Sequence, residues 1–243
     1  MFRFKQFEIE DSLSAMKIGT DGVLLGAWAD VADARSILDV GTGTGLVAIM
    51  CAQRNSVARV HGIDIVEDAV VEARGNMART VWSERLSAEN ADLRKYSPDV
   101  RYDHIVSNPP FFLTTLHSPD AARAMARHAD TLTYDDLVTA AERLLNPGGR
   151  LSVVLPTDCA QQFRRVAFER VWLTRIMDVV TREGEAPKRT MMEFELSDTH
   201  LMPRAESLTI QSADGSYTEK YRRLTEQFYL NFEYYDNIRY ICT

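Results

Sequence analysis

"DVGTGTG", residues 39–45, closes the apolar pentad "SILDV" (36–40) and opens a helix-period run, "GLVAIMCAQR" (45–54). Glycines at a strand-to-helix junction let the backbone turn sharply and come close to a ligand lying over the helix N-terminus. Gly41, Gly43 and Gly45 give G-x-G-x-G, where a dinucleotide site would ideally show G-x-G-x-x-G. The loop therefore predicts a ligand at the carboxyl edge of a parallel sheet without choosing which ligand.

Outward from the loop, strand-like and helix-like segments alternate. "ARVHGIDI" (58–65) reads as a second strand and "EDAVVEARGNMARTVW" (67–82) as its helix. "RLSAENADL" (85–93) contains a third strand, and "YDHIVS" (102–107) is the fourth. "TYDDLVTAAERLL" (133–145) is helical, capped by Thr133 and ended by "NPGG". "RLSVVLP" (150–156) is the fifth strand, followed by the helix "DCAQQFRRVAFER" (158–170). Then the pattern changes: "VWLTRIMDVVTR" (171–182) and "RTMMEFELS" (189–197) are separated only by "EGEAPK". Two strands joined so briefly must run antiparallel. The expectation is one α/β domain over residues 1–243, with a doubly wound, mostly parallel sheet. Residues 1–35 form an extension with a first helix, 36–198 the core, and 199–243 a last strand and helix.

Two carboxylates sit where such a sheet would present them. Asp64 ends the second strand, where an acidic side chain can accept both hydrogen bonds of a ribose diol. Asp92 follows the third strand, where an adenine amino group could be read.

Composition narrows the classes. At 243 residues, 45% hydrophobic and 26% charged, the chain has the make-up of a globular protein with a sizeable core. No apolar run approaches a membrane span, and the start lacks a signal-peptide core. Cys51, Cys159 and Cys242 are too scattered for a disulfide frame or a zinc site. The five histidines show no metal-ligand spacing, so neither a metal nor a membrane is expected, and the location expected is cytoplasmic. A net charge of −7 argues mildly against nucleic acid as partner. Local basic stretches remain as candidates for contacting it: Arg123, Arg127 and His128; Lys188 and Arg189; Lys220, Arg222 and Arg223.

The glycine loop, Asp64, Asp92 and "NPPF" (108–111), on a sheet finishing in a hairpin, resemble a class I S-adenosylmethionine-dependent methyltransferase. That resemblance implies a Rossmann-like sheet of seven strands with the seventh antiparallel, a part that "RTMMEFELS" fits. It implies S-adenosylmethionine as cofactor, with Gly41, Thr42, Gly43 and Gly45 along its methionine part and Asp39 at its amino group. Asp64 and Ile65 would lie at the ribose, and Asp92 and Leu93 at the adenine. Thr20 and Asp21 border the methyl donor in related enzymes. They are also expected to cap the helix "GVLLGAWA" (22–29).

"SNPPFF" (107–112) then reads as a substrate clamp. An exocyclic amino nitrogen is a poor nucleophile because its lone pair is delocalised into the ring. Two acceptors aimed at its N–H bonds favour the pyramidal geometry that frees the pair. Asn108 can offer its side-chain oxygen and Pro109 its carbonyl. Pro109 and Pro110 hold the frame rigid. Phe111 can stack on the base, while Phe112 is left to the core. The motif admits adenine, cytosine, guanine or glutamine as acceptor.

The leader "FRFKQFEIEDSLSAMKIGTDGVLLGAWA", with "SNPPFF", "ARAMARHADTLTYDDL", "KRTMMEFEL" and "YTEKYRRLTEQFYLNF", resembles the bacterial tRNA1(Val) (adenine(37)-N6)-methyltransferase family. The resemblance implies a tRNA substrate, no obligate protein partner, and RNA contacts among Lys5, Arg123, Arg127, His128, Lys188, Arg189, Arg222 and Arg223. In the leader, Phe2, Phe4 and Phe7 either face nucleic acid or pack a small edge strand. Another RNA base, a protein glutamine, and a non-catalytic RNA-binding scaffold remain as alternatives.

Overall fold

The computed structural model describes residues 1–13, 18–109, 132–200 and 202–230. Pro110, Phe111, Phe112, Arg123, Arg127 and His128 lie outside the described residues. The chain opens with a hairpin of β1 (Phe2–Arg3) and β2 (Glu8–Ile9), then α1 (Thr20–Trp28). Next come β3 (Ser36–Val40), α2 (Leu46–Arg54), β4 (Arg59–Asp64), α3 (Glu67–Ala78), β5 (Leu86–Asn90) and β6 (Tyr102–Ser107). After them follow α4 (Tyr134–Leu144), β7 (Leu145–Pro156), α5 (Thr157–Ala167), β8 (Trp172–Arg182), β9 (Arg189–Glu195), β10 (Arg204–Gln211) and α6 (Glu219–Thr225).

The main sheet has the order β10-β8-β9-β7-β6-β3-β4-β5. Strands β3 to β7 pair in parallel, and β9 lies antiparallel between β7 and β8. The inserted antiparallel strand expected from "RTMMEFELS" is therefore in place. The tail strand β10 joins β8 in parallel as an eighth strand, one more than the seven-strand core. Side chains alternate between two apolar cores, as the period of a strand requires. Ile37, Val106, Val154 and Met191 face α1, α2 and α3, while Leu38, Ile105, Val153 and Met192 face α4 and α5.

Registry places the ends of the strands. Val40 lies opposite both Ile63 and Ser107, and Asp64 opposite Asn90. Residues 41–45, 64, 91–92 and 108 thus emerge side by side from one edge, on strands about 4.8 Å apart. Ser107 fastens that edge by donating a buried hydrogen bond to the Val40 carbonyl at 2.9 Å.

Local differences from the sequence expectations have identifiable causes. Neither Thr20 nor Asp21 caps α1: Gly19 is the N-cap, without a side-chain bond, and both residues sit in the first turn. Asp21 instead accepts from Arg189 Nε at 2.7 Å, a partner 168 residues away that no local pattern announces. Helix α3 stops at Ala78, and Ser83–Arg85 form a separate 3-10 turn. Strand β7 begins at Leu145 because Tyr102 already pairs there, with an irregularity before Arg150. Thr133 does cap α4, reciprocally with Asp136. In the leader, Phe4 and Phe7 are buried and stacked at 4.6 Å, with Phe7 edge-on to Trp82. Packing is what those two aromatics do.

Candidate active site

The glycine loop runs through left-handed backbone at Gly41, Gly43 and Gly45, with φ of 70°, 53° and 82°. Two backbone bonds pin it to the neighbouring strand, from the Gly41 and Thr42 N–H groups to the Ile63 carbonyl. Above Gly41 there is open space among the described residues, since a Cβ there would meet none of their atoms within 4 Å. At Gly45 the reverse holds: a Cβ would approach Ala73 and Met77 of α3 to 3.3–3.4 Å. The loop is tight against the protein on one side and open on the other, as a ligand cradle must be.

Asp39 is buried at the root of this loop, and its Oδ2 accepts from Thr42 Oγ1 at 2.7 Å and from the Ala48 N–H at 3.2 Å. Burial pushes its carboxyl up to about 7 despite those two bonds, and the charge of Asp64 adds to the rise. Asp64 accepts from the Gly43 N–H at 2.9 Å and the Val66 N–H at 3.0 Å. Next to it, Ile65 is half exposed, an apolar face at the mouth of a polar loop. Asp92 is gripped by Arg94, whose side chain reaches both carboxylate oxygens at 2.8–3.1 Å, and that contact holds its carboxyl below the usual range. Sequence reading gave Arg94 no part. Leu93 is buried in the core, so only its backbone faces the edge. A hollow lined by Glu89, Ala91, Asp92, Lys95 and Tyr96 opens here.

Asn108 leaves β6 beside the loop. Its Oδ1 is buried and has no hydrogen-bond partner among the described residues. Leaving an acceptor in that state costs about 1–3 kcal/mol, and such exceptions call for a reason. The first turn of α1 packs against the same amide, with the Cβ direction of Gly22 3.9 Å from Asn108 Nδ2. Pro109 is buried behind it. A rigid, unsatisfied acceptor next to an open glycine cradle is a place for an N–H donor.

Residues 13–172 match the family model for the methyltransferase small domain. The tRNA1(Val) (adenine(37)-N6)-methyltransferase of Phocaeicola vulgatus is 44% identical over 231 residues, covering 95% of this chain and 97% of that protein. The enzyme of that name from Bacteroides thetaiotaomicron is 42% identical, covering 96% and 98%. This chain belongs to that family. The Trichodesmium erythraeum member, 44% identical over 95% of this chain, extends the likeness. Among solved structures, Atu636 of Agrobacterium tumefaciens, described as a predicted O-methyltransferase, superposes with a TM-score of 0.70 at 20% identity, covering 86% of this chain and 96% of that one. The N-methyltransferase NodS of Bradyrhizobium japonicum, in complex with S-adenosyl-L-homocysteine, gives 0.51 at 15% identity over 71% of this chain and 83% of that one. These structures establish the class I methyltransferase fold.

The basic candidates of the family resemblance are placed in two groups. Lys188 and Arg189 stand at the loop edge of the sheet, opposite Pro156, paired with Glu185 at 3.1 Å and Asp21 at 2.7 Å. Lys5 donates to the Glu226 carbonyl at 2.5 Å, Arg222 to the Tyr217 carbonyl at 3.0 Å, and Arg223 pairs with Glu219. Among the described residues, no group of His, Cys, Asp and Glu is placed to hold a metal ion, and no helix is long and apolar enough to cross a membrane.

Proposed function

We propose that this enzyme methylates N6 of an adenosine in tRNA, adenosine 37 of tRNA1(Val), using S-adenosylmethionine. The observation that carries the reading is the unpartnered Asn108 Oδ1 beside the open glycine loop. The named relatives, alike over nearly their whole length, supply the substrate.

The residues present suit the cofactor. Asp39, buried and next to the glycine loop, would hold the ammonium group; Asp64, with Ile65 beside it, would take the ribose diol; Asp92 and the Leu93 backbone would edge the adenine site. When bound, the cofactor supplies a methyl group on a positively charged sulfur. The protein's task is geometric. Asn108 Oδ1 and the Pro109 carbonyl accept the two N6–H bonds, turning the nitrogen lone pair out of conjugation and toward the donor. Pro109 and Pro110 hold those acceptors still, and Phe111 stacks on the base. A base in a loop is cheap to extrude, so no duplex has to be opened. A tRNA substrate also places the protein in the cytoplasm. Lys188 and Arg189, at the same edge of the sheet, are the described cations best placed for RNA phosphates.

The test is incubation with labelled S-adenosylmethionine and total RNA or protein extract, followed by mass spectrometry of the product. N6-Methyladenosine confined to one tRNA is expected. Label on another base or on a protein glutamine would overturn the substrate, and no label at all would favour a binding protein with this fold.

Asp39 gives a second, pH-dependent expectation. Its folded-state pKa lies near 7, above the ordinary 3.8, so the free protein keeps a proton that the unfolded chain has lost. Stability from this group is present below about pH 4 and is lost as pH rises toward 7. An ammonium ligand reverses the preference, because it needs the ionised form. Affinity for S-adenosylhomocysteine should therefore rise about tenfold between pH 6 and pH 8, as the ionised fraction goes from roughly a tenth to nine tenths. Calorimetric titration across that range checks it, and Asp39→Asn should bind more weakly with a flat profile.

A further inference from the structure

Two buried polar side chains on α3 take no part in the chemistry described so far. Asn76 is fully buried, and each half of its amide is used twice. Its Oδ1 accepts from the Glu10 N–H at 2.9 Å and from Arg79 at 2.5 Å. Its Nδ2 donates to the Glu10 carbonyl at 2.9 Å and to the Thr44 carbonyl at 2.8 Å. Toward Glu10 the amide behaves like the edge of a strand, pairing with both backbone groups of one residue. Toward Thr44 it holds the middle of the glycine loop. One turn earlier, Glu72 Oε1 accepts from the Leu13 N–H at 2.8 Å and Ser12 Oγ at 3.2 Å.

We propose that Asn76 is a positioning residue that couples the N-terminal leader to the cofactor loop, so that docking of residues 9–13 and cofactor binding favour one another. The proposal rests on the methyltransferase reading and deepens it. Apolar packing of Phe4, Phe7 and Ile9 would attach the leader without specifying its register. A fully satisfied buried amide specifies it, because any slip leaves donors and acceptors unpaired in a low dielectric. The loop has little freedom to compensate, since Gly45 is already against Ala73 and Met77. Anything that shifts residues 9–13 therefore pulls on the Thr44 carbonyl, and anything that settles the loop steadies the leader.

Hydrogen exchange on the wild-type protein, with and without S-adenosylhomocysteine, tests the coupling without any variant. Ligand is expected to slow exchange of the Glu10 and Leu13 amides about tenfold, although neither lies in the cradle. In Asn76→Asp, which keeps the acceptor but loses both donated bonds, that protection should disappear. The S-adenosylhomocysteine Kd should rise about tenfold, with kcat at saturating cofactor within about threefold of wild type. Binding to the wild type without any change in leader exchange overturns the coupling alone. A folded Asn76→Asp protein with unchanged Kd overturns it as well. If the wild type does not bind S-adenosylhomocysteine, the coupling and the methyltransferase reading fall together.

Discussion

Asn108→Ala is expected to lower the methylation rate by about a hundredfold or more, with S-adenosylhomocysteine bound as tightly as by the wild type. The reasoning begins with the cost of the residue as it stands. Its Oδ1 is buried and has no partner among the described residues, so in them it stands as an unsatisfied acceptor that alanine would relieve. Stability should hold or rise slightly, which separates this variant from one that merely unfolds. What alanine removes is an interaction realised as the target nitrogen pyramidalises, and losing one preorganised polar contact of that kind typically costs 10²–10³ in kcat. Most residues expected to hold the cofactor follow β3, β4 and β5, with Thr20 and Asp21 on α1; Asn108, expected at the cofactor as well as at the substrate, follows β6, so its loss should fall mainly on turnover. Asn108→Ala with wild-type turnover, measured on tRNA at saturating cofactor, would remove the residue from the chemistry.

The sheet was legible in the sequence because its signals are local. "SILDV", "YDHIVS" and "RTMMEFELS" are bounded by turn residues and alternate or run apolar, and each is a strand. The hairpin near the C-terminus followed from a connection too short for a crossover. Asp64 and Asn108 could be placed because strand ends fall at the end of apolar runs, and registry then aligns them. What sequence could not show are pairings between distant segments. Arg189 was expected among the cations for RNA, and its pairing with Asp21 is a contact that no local pattern announces. Thr20 or Asp21 was expected to cap the first helix, yet α1 starts at Thr20 with Gly19 as its N-cap. Asn76, on α3, carries no local signal of its role. Only packing brings it to Glu10 on one side and Thr44 on the other.

Glu193→Ala is expected to destabilise the fold by about 3–5 kcal/mol, the usual result of removing one partner from a buried ionic cluster. Glu193 is 1% exposed in the inserted strand β9, at the centre of a polar row crossing the sheet beneath α1. Its Oε2 accepts from Ser152 Oγ at 3.0 Å and from the Asp30 N–H at 3.1 Å, and Arg175 reaches it at 3.3 Å. Arg150, 3.8 Å away, is bound to Asp30 at 2.7 Å, and the Arg175 guanidinium lies 4.3 Å over the Trp28 ring. Ser152 meets His104 Nε2 at 2.9 Å, and burial pushes that imidazole down to about 4, so it is neutral at physiological pH and adds no charge to the row. Alanine would leave Arg175 without its carboxylate and the Asp30 N–H without an acceptor, and would leave the Ser152 hydroxyl only His104 as a partner. Glu193→Gln keeps an acceptor and the side-chain volume, so it should cost less. The sign of its remaining effect follows from Arg175, which loses a countercharge but stays on Trp28. Chemical denaturation of the two variants checks the order. If alanine proved as stable as glutamine, the row would be solvated in solution and the inserted strand would be held by its apolar residues, Met191, Met192 and Phe194, alone.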